Sequence, residues 1–280
     1  WYAAAGRRAA AAVQLAGLGL GARYVQQPAS PAASSPVANG PAAGWQRYAN
    51  ITSVAHVVRL PDGSQVAVAP GGRLRYPRQF AAGQRTVQLV GEAFFTVVPN
   101  PRRPFRVYTR QVVTTVLGTS FRVTAPADGR PAVVQVRTGR VRVAARPGSA
   151  AGGPAEPGPA AVLLLPNQQA VYSPARRALT RALVAEPVQV QAQSFAFDDR
   201  PVTEVLAALE KAYGIPIGYD AAALAGCSVT LNLPPQASLF AKLDVLSKTL
   251  GGSYEKRGVR LSFRSPACRL PDNNGENMMN

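Results

Sequence analysis

RTVQLVGEAFFTVVPNPRRPFRVYTRQVVTTVLGTSFRV, residues 85–123, alternates apolar and polar side chains almost without a break. Val87, Leu89, Phe95, Val97, Phe105, Val107, Phe121 and Val123 recur at the two-residue period of half-buried strands, with Pro, Gly and Asn at the turns. Just upstream, Asp62-Gly63 inside LPDGSQVAV (60–68) is a tight hairpin signal. Downstream, Asp128-Gly129 and Thr138-Gly139 mark further turns, and strands resume at 162–165 and 168–172. No 3.6-residue pattern interrupts this region. Residues 45–185 therefore predict a mainly β domain of stacked short strands, either a sandwich or a β-solenoid-like unit. Within it RPGSAAGGPAEPGP, 146–159, reads as a mobile loop that cannot pack.

The pattern changes at 190–264. Val202, Leu206, Leu209 and Tyr213 sit at helical spacing before Gly214, and 37 residues later Leu239, Leu243, Leu246 and Leu250 repeat the stripe before Gly251. Pro201 suits the first helical position, with Asp198 and Asp199 as caps at the positive end. Short strands flank each helix, near 193–197, 215–219, 229–233 and 253–256, and a last one, 259–263, follows the Arg257-Gly258 turn. This is a small α+β domain built from duplicated β-α-β units, too small for a nucleotide-binding sheet and ample for docking. The polar tail, 265–280, reads as disordered.

At the other end, Arg7 and Arg8 precede AAAAVQLAGLGLGA, 9–22, a charge-free stretch closed by Arg23. It predicts one N-terminal transmembrane helix within 1–27, although it is short and carries Gln14. The arginine pair puts everything after it outside the cytoplasm. Residues 28–44 form a Pro/Ala/Ser linker. The chain opens without an initiator Met, so it reads as a piece of a longer protein.

Composition argues against catalysis. The 280 residues carry a net charge of +17, with 47% hydrophobic and 16% charged residues. Only four residues are lysine, and the arginines are spread along strands and turns, unlike a nucleic-acid-binding helix. Cys227 and Cys268 are the only cysteines and, with the lone His56, cannot make a zinc site; an exported chain could pair them as a disulfide. His56 sits on a strand as a packed or rim residue, without the neighbours a hydrolase needs. Glu92, the one acid in an apolar strand run, predicts a neighbouring arginine as its partner. No catalytic, cofactor or metal residue is assigned.

LPDGS (60–64), GEAFF (91–95), RPF (103–105) and LGTSF (117–121), in that order and spacing, resemble the FecR family of membrane-spanning sigma-factor regulators. FDDRPVTEVLAALEKAYGIPIGYD through LSF, 197–263, resembles the small C-terminal domain of one subgroup, itself similar to the short signalling domain of secretins and TonB-dependent transducers. The resemblance implies a single-pass inner-membrane anti-sigma factor with a periplasmic C-terminal region. Its partners would be the signalling domain of a TonB-dependent outer-membrane transducer and, through a cytoplasmic segment missing here, an extracytoplasmic-function sigma factor. It implies no enzyme activity, no cofactor and no nucleic acid. Tyr219, Tyr254 and Arg257, on or beside edge strands of the small domain, are the candidate partner-binding residues. The alternative is a non-signalling module that binds peptidoglycan or other envelope polysaccharide.

Overall fold

In order along the chain, the strands of the first domain are β1 (Trp45–Ala49), β2 (His56–Arg59), β3 (Gln65–Val68), β4 (Arg73–Pro77), β5 (Arg85–Thr96), β6 (Phe105–Tyr108) and β7 (Val112–Val116). They continue with β8 (Ser120–Ala125), β9 (Ala132–Thr138), β10 (Val141–Ala145), β11 (Ala161–Leu164), β12 (Gln168–Ser173) and β13 (Ala178–Leu183). These come from a computed structural model that describes residues 44–146 and 161–266. The expected transmembrane segment, nearly all of the linker, residues 147–159 of the expected loop, and the tail from 267, with Cys268, lie outside the described residues. Among those described, no helix is long and apolar enough to cross a membrane.

The strands form two layers, each added in chain order. One runs β1-β4-β5-β6-β7-β10-β11 and the other β2-β3-β5-β8-β9-β12-β13. β5 belongs to both: Arg85–Val90 pairs with β4 and β6, and Gly91–Thr96 pairs with β3 and β8. The shared strand joins the layers into one nearly closed, barrel-like sheet. Among the described strands only β5 and β6 run parallel within it, so these strands do not stack as the parallel rungs of a solenoid. The eight alternating residues of 85–123 are all buried in one core with inward residues of both layers.

Three passages between layers meet at one corner. β5 bends at Gly91, whose φ is +92°, while Gly71 and Gly72 carry the chain from β3 to β4 against that bend. Asn50, between β1 and β2, closes the corner: its N–H donates to the Gly72 carbonyl (2.9 Å), and its carbonyl accepts from the Gly71 N–H (2.8 Å).

The second domain follows as β14 (Ala196–Pro201), α1 (Val202–Tyr213), β15 (Ile217–Gly218), β16 (Ser228–Asn232), α2 (Leu239–Leu250), β17 (Ser253–Arg257) and β18 (Arg260–Arg264). The duplicated β-α-β units are present, and both helices end at left-handed glycines, Gly214 and Gly251. The leading strands β14 and β16 pair with each other, while β15, β18 and β17 form a separate three-stranded sheet. The expected caps of α1 are corrected. Pro201 stands at the N-cap, one position before the helix, with no side-chain cap. The first helical N–H, on Val202, donates instead to the Cys227 carbonyl at 2.9 Å. Asp198 and Asp199 lie on β14 and accept hydrogen bonds from Thr230 and Ser228 across the sheet. Cys227 is buried in this second core.

Candidate functional site

The four sequence words converge on the first core. Asp62, in the hairpin turn, holds the buried Arg85 guanidinium at 2.8 Å, and Arg85 also donates to the carbonyls of Val98 (2.8 Å) and Arg103 (2.9 Å). Phe105 lies beneath that guanidinium, 5.5 Å from ring centroid to charge. Phe95 stacks on Phe121 at 5.0 Å and meets Phe105 edge-on. LPDGS, RPF, GEAFF and LGTSF thus supply the joint and aromatic centre of the fold, not a binding surface. Glu92 has the expected arginine, Arg122 at 2.9 Å, with Thr124 donating to its other oxygen. The pair stands half-exposed on the outer face of the second layer, because Glu92 alternates with the inward Ala93. His56 is an exposed rim residue stacked on Tyr48.

The open edge of the small domain offers the more distinctive surface. In the sheet β15-β18-β17, no strand among the described residues pairs with the far side of β17. Arg257 and Arg260 close a two-residue hairpin, so Arg257 and Glu255 bond to β18 while Tyr254 and Lys256 turn their N–H and C=O outward. Beside this edge lies a groove of about 770 Å³, lined by the C-terminal half of α2 and by Ser253, Tyr254 and Lys256.

The groove wall is ordered by side-chain contacts. Tyr254 stacks on Phe240 and donates from its hydroxyl to Asp244 at 2.9 Å. Lys256 also lies over the Phe240 ring, 3.6 Å from its centroid. Arg257 is exposed and held by Glu255 at 2.8 Å, which with Arg264 keeps the Glu255 carboxyl below its usual range. Tyr219 is half-buried against the second core. Thus Tyr254 lies in the groove, Arg257 on the same strand with its charge occupied, and Tyr219 on the core side. Phe240, Asp244 and Lys256 were not singled out from the sequence.

Burial first, then the hydrogen bond to Asp244 and its charge, push the Tyr254 phenol up to about 12. Raised above the ordinary value, this phenol contributes stability that is intact below about pH 10 and is lost as pH climbs through 12. In an ultraviolet tyrosinate titration, Tyr254→Phe should delete a component with a midpoint near 12. Asp244→Asn should move that component toward ordinary tyrosine.

The small domain is bonded to the first domain at two places. Leu183, at the end of β13, donates its N–H to the Gly258 carbonyl in the β17–β18 turn (3.2 Å). Buried Asn167, between β11 and β12, donates through Nδ2 to the carbonyls of Val188 (2.8 Å) and Tyr213 (2.7 Å), and its Oδ1 accepts from the Val188 N–H. Deeper in the small domain, Lys242 is buried with its ammonium on the Tyr213 hydroxyl and the carbonyls of Pro235 and Ala237, above the Phe195 ring. Among the described residues, no cluster of His, Cys, Asp or Glu could hold a metal ion.

Comparison with known families matches two regions: FecR protein over 49–142, and FecR, C-terminal, over 194–261. Two crystal structures of a provisional anti-sigma factor from Parabacteroides distasonis are similar to the chain, each at 27% identity. They cover 79% and 78% of it and 99% and 98% of themselves, both with a TM-score of 0.44. No curated protein matches.

Proposed function

The chain belongs to the FecR family of sigma-factor regulators, and on that premise we propose that it is the periplasmic sensing part of a single-pass inner-membrane anti-sigma factor. Its signal is the ligand-loaded state of a TonB-dependent outer-membrane transducer, and its output is the activity of an extracytoplasmic-function sigma factor. The observation that carries this reading is the unpaired β17 edge beside an open groove. A strand of the transducer's signalling domain adds to that edge by main-chain pairing, with Tyr254 and Lys256 as side-chain contacts. The bonds from Leu183 to Gly258 and from Asn167 to Tyr213 tie the docking domain to the β domain, so docking stabilises one arrangement of both. No step requires chemistry on a substrate.

Calorimetric titration of the unit Ala42–Asn280 with the signalling domain of the transducer encoded beside its gene tests the reading. Micromolar or tighter binding is expected. Lys256→Pro removes an outward N–H without touching the β18 ladder, and should weaken binding at least about tenfold, while Lys256→Met should weaken it far less. Absence of binding, with retention on peptidoglycan or envelope polysaccharide, would overturn the reading in favour of a non-signalling envelope module.

A further inference from the structure

The arginines that look scattered in the sequence are gathered by strand pairing. On the outer face of the first layer, β1 places Arg47 directly opposite Arg75 of β4, with Arg73 two residues along. Like charges facing each other across an antiparallel pair cost stability, and no carboxylate relieves them: among the described residues, Arg47, Arg73 and Arg75 make no ion pair. Arg75 rests on the ring of Trp45, 5.6 Å from its centroid, and Trp45 stays 42% exposed. A depression of about 300 Å³ is lined by Arg47, Arg73 and Arg75 together with Ala49, Leu74 and Val90.

Aliphatic side chains stand at the end of the same strand. Ile51, just past the corner that ends β1, is 94% exposed, and Val54 in the same loop is 66% exposed. Their loop is held in shape from within. Asn50 is buried and donates through Nδ2 to the carbonyls of Val54 and Val68, both at 2.8 Å, while its Oδ1 accepts from the Thr52 N–H. A single exposed aliphatic is ordinary. Two are presented here by a fixed loop at the end of β1 that follows Ala49, opposite Arg73, so the strand pair offers a plane of three uncompensated arginines with an exposed tryptophan at one end and an apolar tip at the other.

We propose that this face, at the β1–β4 end of the first layer, docks on a bilayer containing anionic phospholipid. The guanidinium groups engage lipid phosphates, Trp45 sits at the headgroup level, and Ile51 and Val54 enter the acyl boundary. Nucleic acid or an acidic polysaccharide would satisfy the arginines and leave the aliphatic tip in water. The inference rests on the membrane-anchored reading of the chain. Trp45 lies only 23 residues after Ala22, at the end of the apolar stretch, a reach of at most about 80 Å.

The unit Ala42–Asn280 has its own cores and lacks the apolar stretch, so its lipid affinity can be read alone. In a flotation assay it should rise with vesicles of phosphatidylcholine plus phosphatidylglycerol at about 30 mol%, and stay down with phosphatidylcholine alone. Arg47→Gln/Arg73→Gln/Arg75→Gln should weaken partitioning by about a hundredfold. Arg59→Gln/Arg137→Gln/Arg140→Gln, the same charge change elsewhere, should alter it less than about threefold, and Ile51→Ser/Val54→Ser should cost about tenfold. Equal binding to both vesicle types, or full binding by the first triple variant, would overturn the proposal. So would arginine-dependent binding of duplex DNA without flotation. The anchored reading fails separately, if the full chain is released from membranes by alkaline carbonate.

Discussion

Gly91→Ala should destabilise the β domain by at least about 3 kcal/mol and lower its thermal midpoint by roughly 10 °C, read by circular dichroism of Ala42–Asn280. Two effects add. The native φ of +92° is one that an alanine adopts only under strain, and the new Cβ would stand 2.9 Å from the Cα of Gly72. That neighbour is backbone, at the turn from β3 to β4, and has no room to retreat: a Cβ on Gly72 would itself lie 2.7 Å from Val68 and 2.9 Å from the Ala69 carbonyl. The corner is where β5 leaves one layer for the other, so both layers feel the change. Gly83→Ala is the control, because a Cβ there meets nothing within 4 Å and its φ is ordinary. A Gly91→Ala midpoint within about 2 °C of wild type would refute the account of the bend.

Asp62→Ala should cost about 3–5 kcal/mol, because it strands a buried guanidinium. The Arg85 side chain is 1% exposed, and Asp62 is its only carboxylate partner among the described residues. The same aspartate accepts from the Ser64 N–H (3.0 Å) and hydroxyl (2.8 Å), and that hydroxyl oxygen accepts from the Val98 N–H. One truncation therefore unpins the hairpin turn from two stretches of chain. Asp62→Ala/Arg85→Met should recover most of the loss, since the worst term is the unpaired charge and not the missing attraction. Urea midpoints of the two variants decide the matter. If the double variant is no more stable than the single one, the ion pair is not what makes Asp62 matter.

Much of this architecture is legible in the sequence. Strand alternation in 85–123 identified the core-facing residues, because period-two burial is a local property that each strand carries by itself. The two helices and their terminal glycines were readable for the same reason. The bend at Gly91 was not, since Leu89, Gly91 and Ala93 keep the alternation unbroken while the strand changes layers. The caps of α1 were misread because Val202 is satisfied by Cys227, a partner 25 residues away. At the groove, Tyr254 was found from its place on an edge strand. Phe240 and Asp244 escaped because they reach it from α2, although their four-residue spacing places them on one helix face. Lys242 could have been read: with Leu239, Leu243 and Leu246 it keeps the 3–4 spacing of the buried stripe.

The most direct test is transcription from a promoter of the neighbouring sigma factor, in cells carrying the protein either unchanged or with Lys256→Pro. Transducer-dependent induction should be lost with Lys256→Pro, retained with Lys256→Met, and accompanied by equal protein levels in the membrane. Full induction by the Lys256→Pro protein would contradict signal entry through the β17 edge.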